Sequence, residues 1–359
     1  MKVCLVSIVK DESHVILRML ESVRKYVDEY VIVDTGSSDD TISICENYFK
    51  EEKVKGKVFS RPWKNFGHNK GEALAIARKH SSCDYLMMID ADNFIEGSFK
   101  IPDSIDKDGY YVKHKYGDGT NFFWRKQLFK RVKPWTYKGV LHEYPFLEGD
   151  NDIGFIYGEY FFTETHEGAR NKDLVKKYES DINVLLDGLK DEPDNARYMF
   201  YLGQSYICLD NFKEGAKWYL KAAKSSSWDE EVCVSYYRCG LAYMELREFS
   251  KAKKCLYEAF KVRPSRLESM YILIKYYYEK GEFEEGYQAG QLIKSFEVSD
   301  DTLFVEQDVY EWKIFDLLSL CSYYSERFDE ARNYYELMIN IPREEMDRYN
   351  NNKQFFYQK

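Results

Sequence analysis

The first part of the chain alternates short apolar runs with stretches of helical period. Residues 3–9, 30–33, 58–59 and 85–89 read as strands, and 13–26, 39–49 and 69–80 read as helices. Strand, helix and strand repeated in this order predict a mostly parallel sheet flanked by helices and joined by right-handed crossovers. Sheets of that kind bind ligands beyond the carboxyl ends of their strands.

After about Arg170 the texture changes. Strand signals vanish, and helix-sized segments follow one another with short Gly, Asp or Asn breaks. Phe212, Phe249, Phe283 and Phe328 each follow such a break, at spacings of 37, 34 and 45 residues. Gly203 and Tyr206 recur as Gly240 and Tyr243, Leu220 and Ala223 recur as Leu256 and Ala259, and Pro264 closes the second unit. Small residues that let paired helices approach, and aromatics that fill the gaps between them, predict helical hairpins resembling tetratricopeptide repeats. The last interval carries an insertion of about eleven residues relative to that period. Two domains are expected, an α/β domain over 1–170 and an all-α repeat domain over 171–359, in keeping with 359 residues being more than one core usually serves.

Composition narrows the functional classes. With 44% hydrophobic and 31% charged residues the chain is globular rather than disordered. A formal charge of −9 argues against nucleic acid as a partner. No run approaches the roughly 18 apolar residues of a membrane span, and residues 1–6 read as a strand rather than a leader, so a cytoplasmic protein is expected. The eight cysteines lie scattered in apolar segments without a CxxC pair and read as reduced core residues.

Candidate chemistry gathers at the strand ends. The first strand runs into Lys10-Asp11-Glu12 without a glycine, which removes both the GxGxxG and the P-loop phosphate cradles. The second ends in Asp34-Thr35-Gly36-Ser37-Ser38-Asp39-Asp40-Thr41. Asp34 either accepts a hydrogen bond from a uracil N3–H or simply closes a turn, while Asp39 is expected to cap the next helix. The fourth ends in Asp90-Ala91-Asp92, a carboxylate pair able to hold an oxygen-liganded divalent cation that bridges a diphosphate. Two other D-x-D triplets exist, Asp106/Asp108 and Asp150/Asp152, and neither follows a buried-looking strand. What separates Asp90/Asp92 from them is context, since Lys10, Asp34 and this pair all fall at one edge of one sheet.

The segments 4–12, 33–41, 63–70 (Trp-Lys-Asn-Phe-Gly-His-Asn-Lys) and 89–92, in that order, resemble family 2 glycosyltransferases of the GT-A fold. More narrowly they resemble the branch that appends tetratricopeptide repeats and includes S-glycosyltransferases of bacteriocin peptides. The resemblance implies a UDP-sugar donor and Mn²⁺ or Mg²⁺. It places Asp34 on the uracil, Asp90 near the ribose and Asp92 on the metal, with Lys10 and Glu12 beside the nucleotide. Lys70 stands where the family often has Arg and supplies positive charge without the forked geometry. Residues 137–143 resemble the family's G-x-x-H-E segment, which makes Glu143 the candidate general base with His142 beside it. Residues 165–168 resemble its second histidine motif, with His166 a candidate metal ligand. Arg125, in Trp124-Arg125-Lys126, is a candidate phosphate contact.

The resemblance implies inverting transfer of a hexose, of glucose or N-acetylglucosamine type, to a protein, peptide or glycan acceptor. The repeat domain would dock that acceptor or form a homodimer. A competing reading is an adaptor that binds proteins through its repeats and keeps a nucleotide-sugar domain without turnover. A nucleotidyltransferase is disfavoured because the Gly- and Arg-rich loop it needs after the first strand is missing.

Overall fold

The computed structural model describes every residue except 103, 104, 118, 120, 121, 358 and 359. The chain forms two compact units, Met1–Ser180 and Asp181–Lys359.

In the first unit, β1 (Val3–Val9), α1 (Ile16–Val23), β2 (Glu29–Asp34), α2 (Thr41–Glu51), β3 (Lys55–Ser60), α3 (Phe66–His80) and β4 (Tyr85–Met88) follow one another. The four strands pair in parallel in the order β3-β2-β1-β4. In β1, β2 and β4 near-continuous apolar runs go with burial on both faces, whereas the edge strand β3 is polar and largely open to solvent. Val3, Leu5, Tyr30 and Ile32 point into the core shared with α1 and α2. Cys4, Val6, Val31 and Val33 point into the core under α3.

Seven further strands complete the unit: β5 (Phe94–Gly97), β6 (Gly109–Tyr116), β7 (Phe122–Lys130), β8 (Thr136–Lys138), β9 (Tyr144–Phe146), β10 (Ile153–Phe155) and β11 (Tyr160–Glu164). The main sheet continues from β4 through β7, β6 and β11 to β5, with β10 beside β6, while β8 and β9 pair separately. Because β7 runs antiparallel to β4 and β6, and β11 runs parallel to β6, the start of β7 and the ends of β6 and β11 lie at the same edge as the ends of β1 and β4. That edge carries the candidate residues. The two control triplets sit where β6 and β10 begin, at the other end, where Asp108 pairs with Lys133 at 3.0 Å and Asp152 with Lys107 at 2.9 Å.

Helix α4 (Leu174–Asp191) follows, and the repeats come next. The four hairpins are α5 (Ala196–Cys208) with α6 (Phe212–Ser225), α7 (Asp229–Glu245) with α8 (Phe249–Val262), α9 (Glu268–Lys280) with α10 (Phe283–Gly290), and α11 (Ile314–Tyr324) with α12 (Phe328–Glu336). Each landmark phenylalanine is the first residue of a second helix. The hairpin turns place Asp210, Arg247, Gly281 and Glu326 at positive φ, so one recurrent left-handed position is filled by glycine only once. A Cβ on Gly203 would lie 2.8 Å from the Tyr219 ring, and one on Gly240 2.8 Å from Leu256, which is the close approach the repeated glycines serve. The insertion lies between α10 and α11, and α13 (Met346–Tyr357) follows the last hairpin. Seven of the eight cysteines are buried and all are free; Cys208 is exposed, correcting its expected place in the core. No helix among the described residues is long and apolar enough to cross a membrane.

Candidate active site

The site begins with a tight fit between α3 and the loop after β8. Asn65 caps α3, its side chain accepting from His68 N–H at 2.8 Å. Asn69, fully buried, accepts from Lys64 N–H and donates to the Pro62 carbonyl, which locks the approach to the helix. A Cβ on Gly67 would sit 2.2 Å from the Gly139 carbonyl oxygen, and one on Gly71 2.6 Å from Thr136 Oγ1. Only glycine permits this contact.

Its result is the placement of Lys70. The Lys70 Nζ lies 2.7 Å from Asp90 Oδ1 and 2.8 Å from Glu143 Oε1. Burial alone would lower the lysine pKa, but the charges of Asp90 and Glu143 outweigh it and hold the ammonium above the ordinary lysine range. Burial would likewise raise Asp90, and Lys70 overcomes it, holding the carboxyl below its usual value. Asp90 is crowded by protein on most sides yet keeps 36% of its side chain open to solvent. Glu143 follows a folded-back loop in which Gly139 and His142 both have positive φ, and the His142 side chain is exposed.

A second cluster gathers around Gly168. Asp92 Oδ2 accepts from Gly168 N–H at 3.1 Å, and Glu12 accepts from Ala169 N–H at 3.2 Å. A side chain on Gly168 would press on both carboxylates, at 3.1 Å and 3.3 Å. Burial and then Asp90 raise the pKa of Asp92, while burial raises that of Glu12, with Asp92 adding to it. Two carboxylates that disfavour their own charge, with Asp92 half-buried beside Asp90, suit a cation held mainly by phosphate oxygens and water with one or two protein carboxylates. Among the described residues no three metal-ligating side chains cluster. His166 is exposed and stacks on Tyr116 at 6.3 Å, near enough for its charge to bear on Asp92.

Arg125 pairs with Glu164 at 2.6 Å, and the fully buried His114 ring has Nδ1 2.7 Å from the same oxygen, close but without hydrogen-bond alignment. The charge of Arg125 reaches Asp90. Asp34 is buried at the end of β2, and its carboxylate accepts from Gly36 and Ser37 N–H at 3.0 Å and 3.1 Å, closing its own turn. Two strand spacings, about 10 Å, separate it from the β4 tip. Lys10 is exposed at the end of β1. The position before α2 belongs to Asp40, whose side chain makes no cap hydrogen bond, while Asp39 accepts from the N–H of Thr41, the first residue of α2, and from Ser13 N–H.

Sequence reasoning missed several contributors. Arg18 donates to the Asp92 carbonyl and pairs with Glu167 at 2.5 Å. Arg170 lies over the Phe66 ring at 4.7 Å, where burial lowers its pKa and Glu143 partly offsets that. Glu164 and His114 carried no local signal. Gly67 and Gly168 did, since each stands inside a segment already singled out, and Gly71 directly follows one.

Both parts of the chain resemble known proteins. The model of the glycosyl transferase family 2 matches residues 4–164, and a tetratricopeptide repeat model matches 237–295. The SPbeta prophage-derived glycosyltransferase SunS of Bacillus subtilis is 27% identical over 231 residues, covering 60% of this chain and 51% of that protein. The chain thus spans about half the length of that relative. An uncharacterized glycosyltransferase of Rickettsia conorii is 33% identical over 99 residues, 28% of this chain and 31% of that one. Among solved structures, S. aureus TarS 1–349 in complex with UDP-GlcNAc is 13% identical with a TM-score of 0.40, covering 73% of this chain and 91% of that one.

Proposed function

We propose that this chain, whose residues 4–164 match the glycosyl transferase family 2 model and whose residues 237–295 match a tetratricopeptide repeat model, transfers a hexose from a UDP-sugar to a protein, peptide or glycan acceptor with inversion. The observation that carries the reading is Lys70 held between Asp90 and Glu143 at the carboxyl edge of β1 and β4.

In this reading Asp34, already fixed by its turn, turns a remaining lone pair to the base, and Lys10 and Glu12 flank the nucleotide. Asp90 faces the ribose. Asp92 would hold Mn²⁺ or Mg²⁺, with His166 as a further ligand, and the cation would neutralise diphosphate charge. An incoming diphosphate competes with Glu143 for Lys70. Once the ammonium turns to the phosphate, Glu143 is released to take a proton from the acceptor as it attacks the anomeric carbon, with His142 beside it. Lys70 and Arg125 then stabilise the departing UDP by charge.

Slow hydrolysis of a UDP-sugar tests this directly. A panel of UDP-sugars incubated with the protein should yield free UDP from one or two members, only with Mn²⁺ or Mg²⁺ present. Release equal across the panel, or unchanged by chelation, would contradict it. An adaptor without turnover would release none.

A further inference from the structure

Where β7, β6 and β11 run side by side, one face of the sheet carries Phe123 and Arg125, then His114, then Phe162 and Glu164. The His114 ring is wholly buried and lies between Phe123 and Phe162, with ring centroids at 5.6 Å and 5.3 Å and planes inclined by 32° and 30°. Neither ring nitrogen has a hydrogen-bond partner among the described residues. Nδ1 lies 2.7 Å from Glu164 Oε1, and the same oxygen lies 2.6 Å from Arg125 Nη1.

Packing does not account for this arrangement. A slot between two phenylalanines takes an apolar ring at no polar cost, whereas a buried imidazole and a buried carboxylate oxygen without aligned partners cost free energy. What the two groups secure is Arg125. Its side chain is 39% exposed, against 11% for Glu164, and its charge bears on Asp90 and Tyr137 in the site. Tethering one nitrogen of the guanidinium leaves the remaining donors for a ligand and removes rotamer freedom that binding would otherwise have to take away. Burial lowers the His114 pKa although Glu164 opposes it, so at neutral pH the ring is neutral and carries a single N–H. Placed on Nδ1, that N–H faces the carboxylate.

We propose that Glu164 and His114 are positioning residues, Glu164 tethering Arg125 toward the departing diphosphate and His114 steering Glu164. The assignment rests on the transferase reading, in which Arg125 meets the phosphates. A small turn of the imidazole or of the carboxylate aligns Nδ1–H with Oε1, so the three groups form one chain from the buried face of the sheet to the edge where the site lies.

UDP release from the UDP-sugar that the parent hydrolyses is measured with Mn²⁺ for Glu164→Gln, His114→Phe, Arg125→Met and the double variant Glu164→Gln/Arg125→Met, with unfolding midpoints alongside. Glu164→Gln should lower kcat about tenfold with KM changed far less. His114→Phe, which keeps the ring stack and removes the N–H, should lower kcat by a smaller factor. Arg125→Met should lower it at least as far as Glu164→Gln, and adding Glu164→Gln to it should change nothing further, since Glu164 acts through Arg125. Parent-like kcat in either Glu164→Gln or His114→Phe, a Glu164→Gln penalty that persists undiminished without Arg125, or losses that follow the unfolding midpoints would overturn the proposal. A parent that releases no UDP from any UDP-sugar would contradict the transferase reading and remove this assignment with it.

Discussion

Lys70 Nζ lies 2.7 Å from Asp90 Oδ1, joining the second turn of α3 to the end of β4, the strand on which the sheet changes from parallel to antiparallel pairing. Glu143 meets the same ammonium, so removing Lys70 leaves two carboxylates facing each other. Lys70→Met should destabilise the first unit by about 3 kcal/mol, the low end for breaking a buried pair, because Asp90 stays partly wet. Lys70→Arg should recover stability only in part, since the pocket is shaped for a single nitrogen. Denaturant titration of both variants measures the difference, and equal stability of all three proteins would contradict it.

Gly67→Ala should act through the backbone. The added methyl meets the Gly139 carbonyl, which can yield only if the loop bearing Glu143 shifts. We expect a loss of about 1–3 kcal/mol in stability and a fall in kcat larger than any change in KM. Gly71→Ala meets a rotatable threonine hydroxyl and should cost less. Thermal unfolding of the two variants side by side checks the order.

These two cases mark what the sequence makes legible. Strands β1, β2 and β4 stand out because burial on both faces gives continuous apolar runs, the exposed edge strand β3 shows only as Val58-Phe59, and the repeats stand out because Phe212, Phe249, Phe283 and Phe328 open equivalent helices. Strands β5 to β11 did not. In β6 and β7 aromatics alternate with lysines, as at Tyr111-Val112-Lys113 and Trp124-Arg125-Lys126, so one face stays wet and the runs look like loops. Glu143 and His166 stand out in the sequence through motif resemblance alone, whereas Glu164 and His114 join Arg125 only through pairing of β6 with β7 and β11, which no local pattern encodes.

Asp34 has a structural task, and the proposed function gives it a binding task that substitution separates from the first. Asp34→Ala removes the acceptor for Gly36 and Ser37 N–H and should cost about 2 kcal/mol. Asp34→Asn keeps one acceptor for the turn and should stay within about 1 kcal/mol of the parent while raising KM for the UDP-sugar. An unchanged KM in Asp34→Asn would confine Asp34 to the turn.

The raised carboxyls give cation binding a pH signature. Asp92 is raised by burial and by Asp90, and Glu12 by burial and by Asp92. A carboxyl with a folded pKa above its unfolded value supports the fold while protonated, and that support is lost as pH rises through the folded pKa. In the proposed function a cation takes the place of the proton. The gain in Tm on adding Mn²⁺ should therefore be small near pH 4 and grow toward pH 7, following the ionisation of the two carboxyls. A gain independent of pH would contradict this origin.

The most direct test is calorimetric titration of UDP into the full chain with Mn²⁺ and with chelator, on the parent and on Asp92→Asn. The account predicts binding by the parent that requires Mn²⁺, and its loss in Asp92→Asn while the unfolding curve keeps its shape and midpoint. UDP binding indifferent to Mn²⁺, or undiminished in Asp92→Asn, would contradict the assignment of Asp92 and the nucleotide site built around it.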